Sequence, residues 1–213
     1  MKEGVDLLAN RLKILLAERD LSIKEVVEDT GISRSALSNM VNNPSANIAT
    51  KNIDTLCNFL EINPSDFWEY SPWIFRYFTR PGNDVEDDGL AINSTVALEI
   101  QAINGKIKEH LNFVFLFYRN DNIDIFDGTA YSMRVLYDSK GDFEEIFNSL
   151  SPVFRHSIQS KIVETARGFL ESAIQNHELD PNNIEGEPIS IDVCSDGNIR
   201  HPLFVSKLTM NGL

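Results

Sequence analysis

The sequence predicts two domains: an all-α domain of five short helices, then an α+β domain with antiparallel strands and one long helix. Over roughly the first seventy residues, apolar side chains recur at helical spacing. After residue 90 they mostly alternate along short segments, as in strands with one buried face. Between the two regions, RPGNDVEDDGL (80–90) holds one proline, two glycines and four acidic residues, which is typical of a solvated linker.

The first two helices are indicated by an apolar stripe and a capping signal. Ser22 and Glu25 have the spacing of a capping box, in which each side chain bonds the other residue's backbone N–H at the start of a helix. This second helix is expected to run to about residue 30. The stripe of the first helix consists of four leucines at i, i+4, i+7 and i+8: Leu8, Leu12, Leu15 and Leu16.

The next three helices are indicated by their ends. Gly31 suits a turn that requires positive φ, and Ser33 is the expected N-cap of the third helix. Thr50 begins a fourth helix. Asn63 and Pro64 occupy the N-cap and first position of a short fifth helix.

The second region alternates between strand and helix signals. SPVFRHSIQSKIVETARGFLESAIQNH (151–177) has a continuous apolar stripe and predicts the long helix. Asn104-Gly105 is a hairpin signal between two of the strands. The predicted strands are STVALEIQAI (94–103), NFVFLFY (112–118), AYSMRVLY (130–137), PISIDVCS (188–195) and PLFVSKLTM (202–210).

The charge balance excludes one class of nucleic-acid binder. The chain has 32 acidic and 19 basic residues, a net charge of −13, so it is not suited to coating nucleic acid without sequence preference. Residues 1–80 are nearly balanced, with nine basic and eleven acidic residues, whereas residues 81–213 hold ten and twenty-one. No apolar run is long enough to span a bilayer and no signal-peptide pattern is present, so we expect a cytoplasmic protein without membrane contact.

Nothing in the sequence indicates a metal, a cofactor or an active site. The two cysteines, Cys57 and Cys194, fit no metal or redox spacing and are expected to be buried free thiols. The four histidines also lack the spacing of a zinc site. Because phosphate-binding glycine loops and a Ser/His/Asp pattern are missing too, we expect no enzyme and no cofactor.

A carboxylate-free segment lies inside this acidic chain. No Asp or Glu occurs between Asp29 and Asp54, and the segment is rich in Ser, Asn and Thr. Two short helices joined by a tight glycine turn form the helix-turn-helix plan, whose second helix enters the major groove of DNA. Carboxylates there would face phosphates, whereas Arg and Asn pair with G and A edges. The segment therefore predicts a DNA-reading helix.

Two stretches, LSIKEVVEDTGISRSALSNMVNN (21–43) and TKNIDTLCNFLEINPSDFW (50–68), resemble the Cro/CI (XRE-type) helix-turn-helix family. The resemblance covers about residues 5–70 and implies a lambda-repressor-like fold that binds double-stranded DNA. It implies phosphate contacts for Ser33 and Asn42 and base contacts for Arg34 and Ser35. Ser38 and Asn39, one turn further on, are implied to face the same groove.

Several positions depart from this family or stay open. Ile23 stands where the family often has a phosphate-binding Gln, and Val27 stands where Ala is usual. Asn43 occupies a common Gly position, and Asn tolerates the left-handed conformation. For Lys24 and Lys51, a phosphate contact and an ordinary solvated charge are both consistent with the sequence.

The predicted organisation is a DNA-binding domain at 1–80, an acidic linker at 81–90 and a dimerisation or sensor domain at 91–213. We expect a homodimeric transcriptional regulator, with repression the more natural role. A small ligand or a protein partner could bind the C-terminal domain. Two alternatives stay open: an antitoxin-like autoregulator whose C-terminal domain holds a partner protein, and an enzyme fused to a DNA-binding domain.

An aromatic segment, FWEYSPWIFRYF (67–78), separates the helical region from the acidic linker. It contains both tryptophans and seven aromatic residues of a chain with 13 Phe, 5 Tyr and 2 Trp. Side chains such as Trp73 would form an apolar patch if they were left in water. We expect them to be buried between domains or between subunits.

Overall fold

The computed structural model describes residues 4–5, 8–85, 89–120 and 129–212. The described residues group into two compact units. The smaller one is built from Gly4–Ile74 with Leu150–Arg155, and the larger one from the chain segments Phe75–Ser149 and His156–Leu213. Of the predicted linker at 81–90, residues 86–88 lie outside the described residues, and Pro81 is the last residue of a strand.

The smaller unit is mainly helical. Strand β2 pairs antiparallel with β3, with Leu8 opposite Tyr70 and Asn10 opposite Trp68. The fifth predicted helix is a 3-10 helix at Pro64–Phe67, so the described unit has four α-helices and not five. Its elements are β1 (Gly4–Val5), β2 (Leu8–Asn10), α1 (Leu12–Ala17), α2 (Ile23–Thr30), α3 (Arg34–Asn42), α4 (Thr50–Leu60) and β3 (Trp68–Tyr70).

The predicted place of Leu8 in the first helix is wrong. Leu8 lies in strand β2 and its side chain is 46% exposed. The other three leucines of the stripe are buried in α1, as expected. They belong to a core that holds all four α-helices together: Leu12, Leu15, Leu16, Val26, Ile32, Leu37, Met40, Leu56, Cys57, Leu60 and Phe67.

The larger unit is a mixed sheet with helices. Its strands lie in the order β4-β5-β6-β7-β8-β9. The hairpin predicted at Asn104-Gly105 is present, with Asn104 opposite Ile107 and Gly105 at φ +57°. The elements are β4 (Ile74–Pro81), β5 (Val96–Asn104), β6 (Ile107–Arg119), β7 (Tyr131–Tyr137), α5 (Phe143–Ser149), α6 (Pro152–Gln175), β8 (Pro188–Ser195) and β9 (Phe204–Thr209).

The prediction of antiparallel strands is correct for some pairs only. Strand β6 pairs antiparallel with β5 and with β7, and β8 pairs antiparallel with β9. Strands β7 and β8 are parallel. A parallel pair requires a crossover connection, and α5 and α6 supply it between these two strands. The unit therefore also contains a second helix, α5, besides the predicted long one.

The two faces of this sheet differ in burial. Alternate side chains such as Leu98, Phe113 and Val135 are fully buried. Helix α5 packs on this face, with the ring of Phe143 4.7 Å from that of Phe113. The side chains between them, such as Glu99 and Val114, are half-buried or exposed. The sheet thus has a covered face and an open face.

Both cysteines are free and buried, which confirms the prediction for Cys57 and Cys194. Burial raises the pKa of each thiol, Cys57 and Cys194 alike. Among the described residues, no group of three or more His, Cys, Asp and Glu side chains is arranged to hold a metal ion. No helix in this part of the chain is both long and apolar enough to cross a membrane.

Candidate nucleic-acid interface

The entry to α2 is fixed by the predicted capping box. The backbone N–H of Glu25 donates to Ser22 Oγ at 3.3 Å, and the backbone N–H of Ser22 donates to Glu25 Oε2 at 2.8 Å. The bond from the Ser22 hydroxyl is the main reason that the pKa of Glu25 lies below its usual value. Each side chain thus satisfies a backbone donor that the first helical turn leaves free.

The turn between α2 and α3 depends on Gly31. Its φ of +69° lies in the left-handed region, and its N–H donates to the carbonyl of Val27 at 3.0 Å. The N-cap of α3 follows two residues later, where Ser33 Oγ accepts from the N–H of Ala36 at 3.3 Å. The predicted turn residue and N-cap are both confirmed, and they set the orientation of α3 against α2.

Helix α3 is divided into an apolar side and a polar side. Leu37 is fully buried and Met40 nearly so. At 100° per residue, the five polar positions of the helix fall within about 140° of its circumference. Four of their side chains are exposed and that of Ser38 is half-buried; the five residues are Arg34, Ser35, Ser38, Asn39 and Asn42. The core contacts of Leu37 and Met40 therefore force this polar face outward.

Hydrogen bonds within the polar face leave its strongest donors unused. Asn42 Nδ2 donates to Ser38 Oγ at 3.2 Å, and the hydroxyls of Ser33 and Ser35 are 3.2 Å apart. Within the described ranges, no carboxylate lies within 4.0 Å of Arg34, and the side-chain amide of Asn39 has no hydrogen bond. The guanidinium and the amide are thus available to an external acceptor.

The two lysines differ in their surroundings. Lys24, on α2, lies 3.8 Å from Glu28 one turn along the helix, in an exposed ion pair. Lys51 is the second residue of α4, is exposed, and has no carboxylate within 4.0 Å among the residues that the structure describes. Lys51 therefore adds uncompensated positive charge, whereas the charge of Lys24 is largely balanced.

Asn10 is a residue that the sequence interpretation missed. It is only 3% exposed, and its Nδ2 donates to the carbonyls of Asn43 and Pro44 at 3.1 and 3.0 Å. Its Oδ1 accepts from the N–H of Leu12 at 3.1 Å. Asn10 thus fastens the chain just after α3 to the start of α1. A lone Asn before a helix resembles an ordinary cap, so its sequence context does not reveal this role.

Arg11 fastens the other end of the same unit. Its Nε lies 2.9 Å from Glu69 Oε1, and its Nη1 donates to the carbonyl of Asp66 at 3.2 Å. Its backbone N–H donates to the carbonyl of Phe67. These contacts connect α1 to the 3-10 helix and to β3, which closes the helical core around α3.

Comparison with known proteins finds one family match, within the smaller unit. Residues 11–72 match the family model of the Cro/C1-type helix-turn-helix DNA-binding domain, which confirms the resemblance found in the sequence. The C-terminal region has no family match. A solved structure of a protein from Bacteroides fragilis, provisionally described as DNA-binding, is 21% identical over 29% of this chain and 98% of its own, with a TM-score of 0.27. No curated protein matches the chain.

Proposed function

We propose that the protein is a cytoplasmic transcriptional regulator that binds DNA sequence-specifically. The premise is the match of residues 11–72 to the Cro/C1-type family model. Helix α3 reads the major groove of double-stranded DNA. The observation that carries this proposal is the outward polar face of α3, which lies inside a segment without carboxylates from Thr30 to Ile53. Such a face can approach phosphates although the chain as a whole carries a net charge of −13.

The side chains of this face suit defined parts of a duplex. Arg34 is the first residue of α3, where recognition helices meet base edges, and its planar guanidinium fits O6 and N7 of guanine. The amide of Asn39 fits N6 and N7 of adenine. We assign the phosphate contacts to the hydroxyl of Ser33 and the amide of Asn42, with Lys51 adding a sequence-independent attraction.

Two copies of the chain are needed for useful affinity. One short helix contacts only a few base pairs, and residues 1–80 are not positively charged overall. A homodimer on a two-fold site places two recognition helices in successive major grooves about 34–36 Å apart. Occupation of such a site blocks other proteins sterically, so repression requires no further activity. The C-terminal region supplies the oligomerisation or senses a ligand or partner.

The first prediction tests the assignment of Arg34. Arg34→Ala is expected to cost about 1–3 kcal/mol of binding free energy on the preferred duplex and to relax the preference at one base pair. Lys51→Ala is expected to weaken binding to duplexes of every sequence alike, and to reduce the slope of log affinity against log salt concentration by about one. Selection of bound duplexes, followed by titration at several salt concentrations, measures both effects.

Arg200→Ala is a suitable control, since Arg200 is an exposed arginine of the larger unit. It removes the same charge and is expected to leave the base preference unchanged. If Arg34→Ala keeps both the affinity and the base preference of the wild type, α3 is not placed in the groove as proposed.

A further inference from the structure

The open face of the sheet has an apolar row at its centre. The strand register places Ala97 of β5 opposite Val114 of β6, and Val114 opposite Leu136 of β7. Val114 is 37% exposed, and the other two side chains are half-buried. Helix α5 lies on the opposite face, where Phe143 contacts Phe113. The row therefore belongs to the side of the sheet that the described helix α5 leaves open.

Two opposite charges flank Val114 diagonally on this face. Glu99 lies two residues beyond Ala97 on β5, in the row of Asn112. Arg134 lies two residues before Leu136 on β7, in the row on the other side of Val114. With strands about 4.8 Å apart and a rise of about 3.4 Å per residue, each charge is about 8 Å from Val114, in opposite directions.

Both charged groups, Glu99 and Arg134, can still form an ion pair with an external partner. Gln101 Nε2 and His110 Nδ1 both bond Oε1 of Glu99, at 3.0 and 2.7 Å, and no described residue bonds its Oε2. Arg134 lies over the ring of Tyr118 at 5.1 Å, and no carboxylate of the described chain lies within 4.0 Å of it. Each group is half-buried, so a partner would bind it in a partly desolvated place.

We propose that the open face binds a second copy of the same face, with Val114 on the two-fold axis. Val114 lies midway between Glu99 and Arg134. A two-fold axis that passes Val114 between the two sheets, parallel to the sheets and perpendicular to the line from Glu99 to Arg134, therefore places Glu99 of each copy against Arg134 of the other. The contact between Glu99 and Arg134 then occurs twice, as in an isologous interface. This inference names the surface of the homodimer and therefore rests on the proposed function.

The charge distribution favours this face over the rest of the C-terminal region. Residues 81–213 hold ten basic and twenty-one acidic residues, so two copies repel each other over most of their surface. On the open face acidic residues are not in excess, since alternation along β5 to β9 gives these five strands two acidic and three basic residues there: Glu99, Asp192, Lys108, Arg134 and Lys207. Association through this face avoids the repulsion.

A charge swap tests the proposed pairing directly. Glu99→Arg and Arg134→Glu are each expected to weaken dimerisation at least about 100-fold, because each places like charges together at two symmetric positions. The double variant with both changes restores opposite charges and is expected to return to within about tenfold of the wild type. Sedimentation equilibrium of the full chain without DNA measures the dissociation constants.

Controls with the same charge changes elsewhere isolate the surface. Glu171→Arg on α6 and Lys106→Glu in the β5–β6 turn are both exposed, and they are expected to leave the dimer intact. Circular dichroism verifies the fold of every variant. If a reversal unfolds the chain, Glu99→Gln and Arg134→Gln remove one charge without introducing repulsion and are expected to weaken the dimer about tenfold.

The outcomes separate this inference from the proposed function. A wild-type chain that stays monomeric at about 10 μM contradicts both the interface and the homodimer. A dimer that survives either reversal, or that the double variant does not restore, overturns the interface alone. In that case the two copies associate through another surface, and the assignment of α3 to DNA is unaffected.

Discussion

Ser33 is placed where one hydroxyl can serve both the fold and DNA. Its oxygen accepts from the N–H of Ala36, and its rotatable O–H can be donated either to Ser35 Oγ, 3.2 Å away, or to a phosphate. Ser33→Asp separates the two roles, because Asp is also a good N-cap but repels phosphate. We expect the free energy of unfolding to change by less than about 0.5 kcal/mol and DNA affinity to fall at least about tenfold.

Ser33→Asn provides the matched control for this substitution. Asn is also a good N-cap, but it adds no negative charge and its amide can donate to a phosphate. Thermal unfolding and DNA titration of both variants are expected to differ only in DNA affinity. An unchanged affinity for Ser33→Asp would show that this hydroxyl does not contact phosphate.

Residues whose roles depend on close neighbours in sequence were predictable. The caps at Ser22 and Ser33 and the turn at Gly31 involve partners within four residues, so the local sequence specifies them. Leu8 and Asn10 were not predictable in this way. Leu8 pairs with Tyr70, and Asn10 bonds carbonyls 33 and 34 positions away. Their environments exist only after the chain has folded, and helical spacing alone carries no sign of them.

At the scale of elements, two glycines in helical surroundings are expected to respond oppositely to the same substitution. Gly31 has φ +69°, so Gly31→Ala is expected to lower the free energy of unfolding by about 1 kcal/mol through backbone strain. Gly168 lies inside α6 without positive φ, and no atom lies within 4 Å of the Cβ that Ala would add. Gly168→Ala is expected to raise that free energy by about 0.5–1 kcal/mol.

Chemical denaturation of the full chain, monitored by circular dichroism, measures both changes. Because the glycines belong to different units, the variants also report whether the two units unfold together or separately. Gly31→Asn is a useful third variant, since Asn tolerates the left-handed conformation better than Ala and is expected to cost less. A stabilising Gly31→Ala would contradict the role assigned to this turn.

Elements were predictable where one segment carries its own signal. The long helix α6 and the β5–β6 hairpin have such signals in their apolar stripe and in Asn104-Gly105. Helix α5 has only seven residues, FEEIFNS, which is too short for a distinct helical period. The parallel pairing of β7 with β8 also escaped prediction, because apolar alternation does not identify a strand's neighbour.

At the scale of the whole molecule, the proposed DNA binding requires contributions from both units. In this proposal the smaller unit provides the contact surface, but the chain's net charge of −13 supplies little general attraction to DNA. Affinity must then come from linking two weak contacts. In the proposed dimer, the second recognition helix acts at an effective concentration that is far above that of free protein.

The last prediction compares a duplex that contains two symmetric half-sites with one that contains a single half-site. The wild type is expected to bind the double site at least about 100-fold more tightly, because the second contact is intramolecular within the dimer. Glu99→Arg, which breaks the proposed dimer, is expected to keep the wild-type affinity for the single site and to lose most of this preference. Fluorescence anisotropy at nanomolar DNA gives both dissociation constants.

Two further variants serve as controls. The double variant that combines Glu99→Arg with Arg134→Glu is expected to regain the preference for the double site, and Glu171→Arg is expected to retain it. A Glu99→Arg chain that is monomeric in solution but still prefers the double site to the same degree would show that DNA itself, and not the open face of the sheet, brings the two copies together.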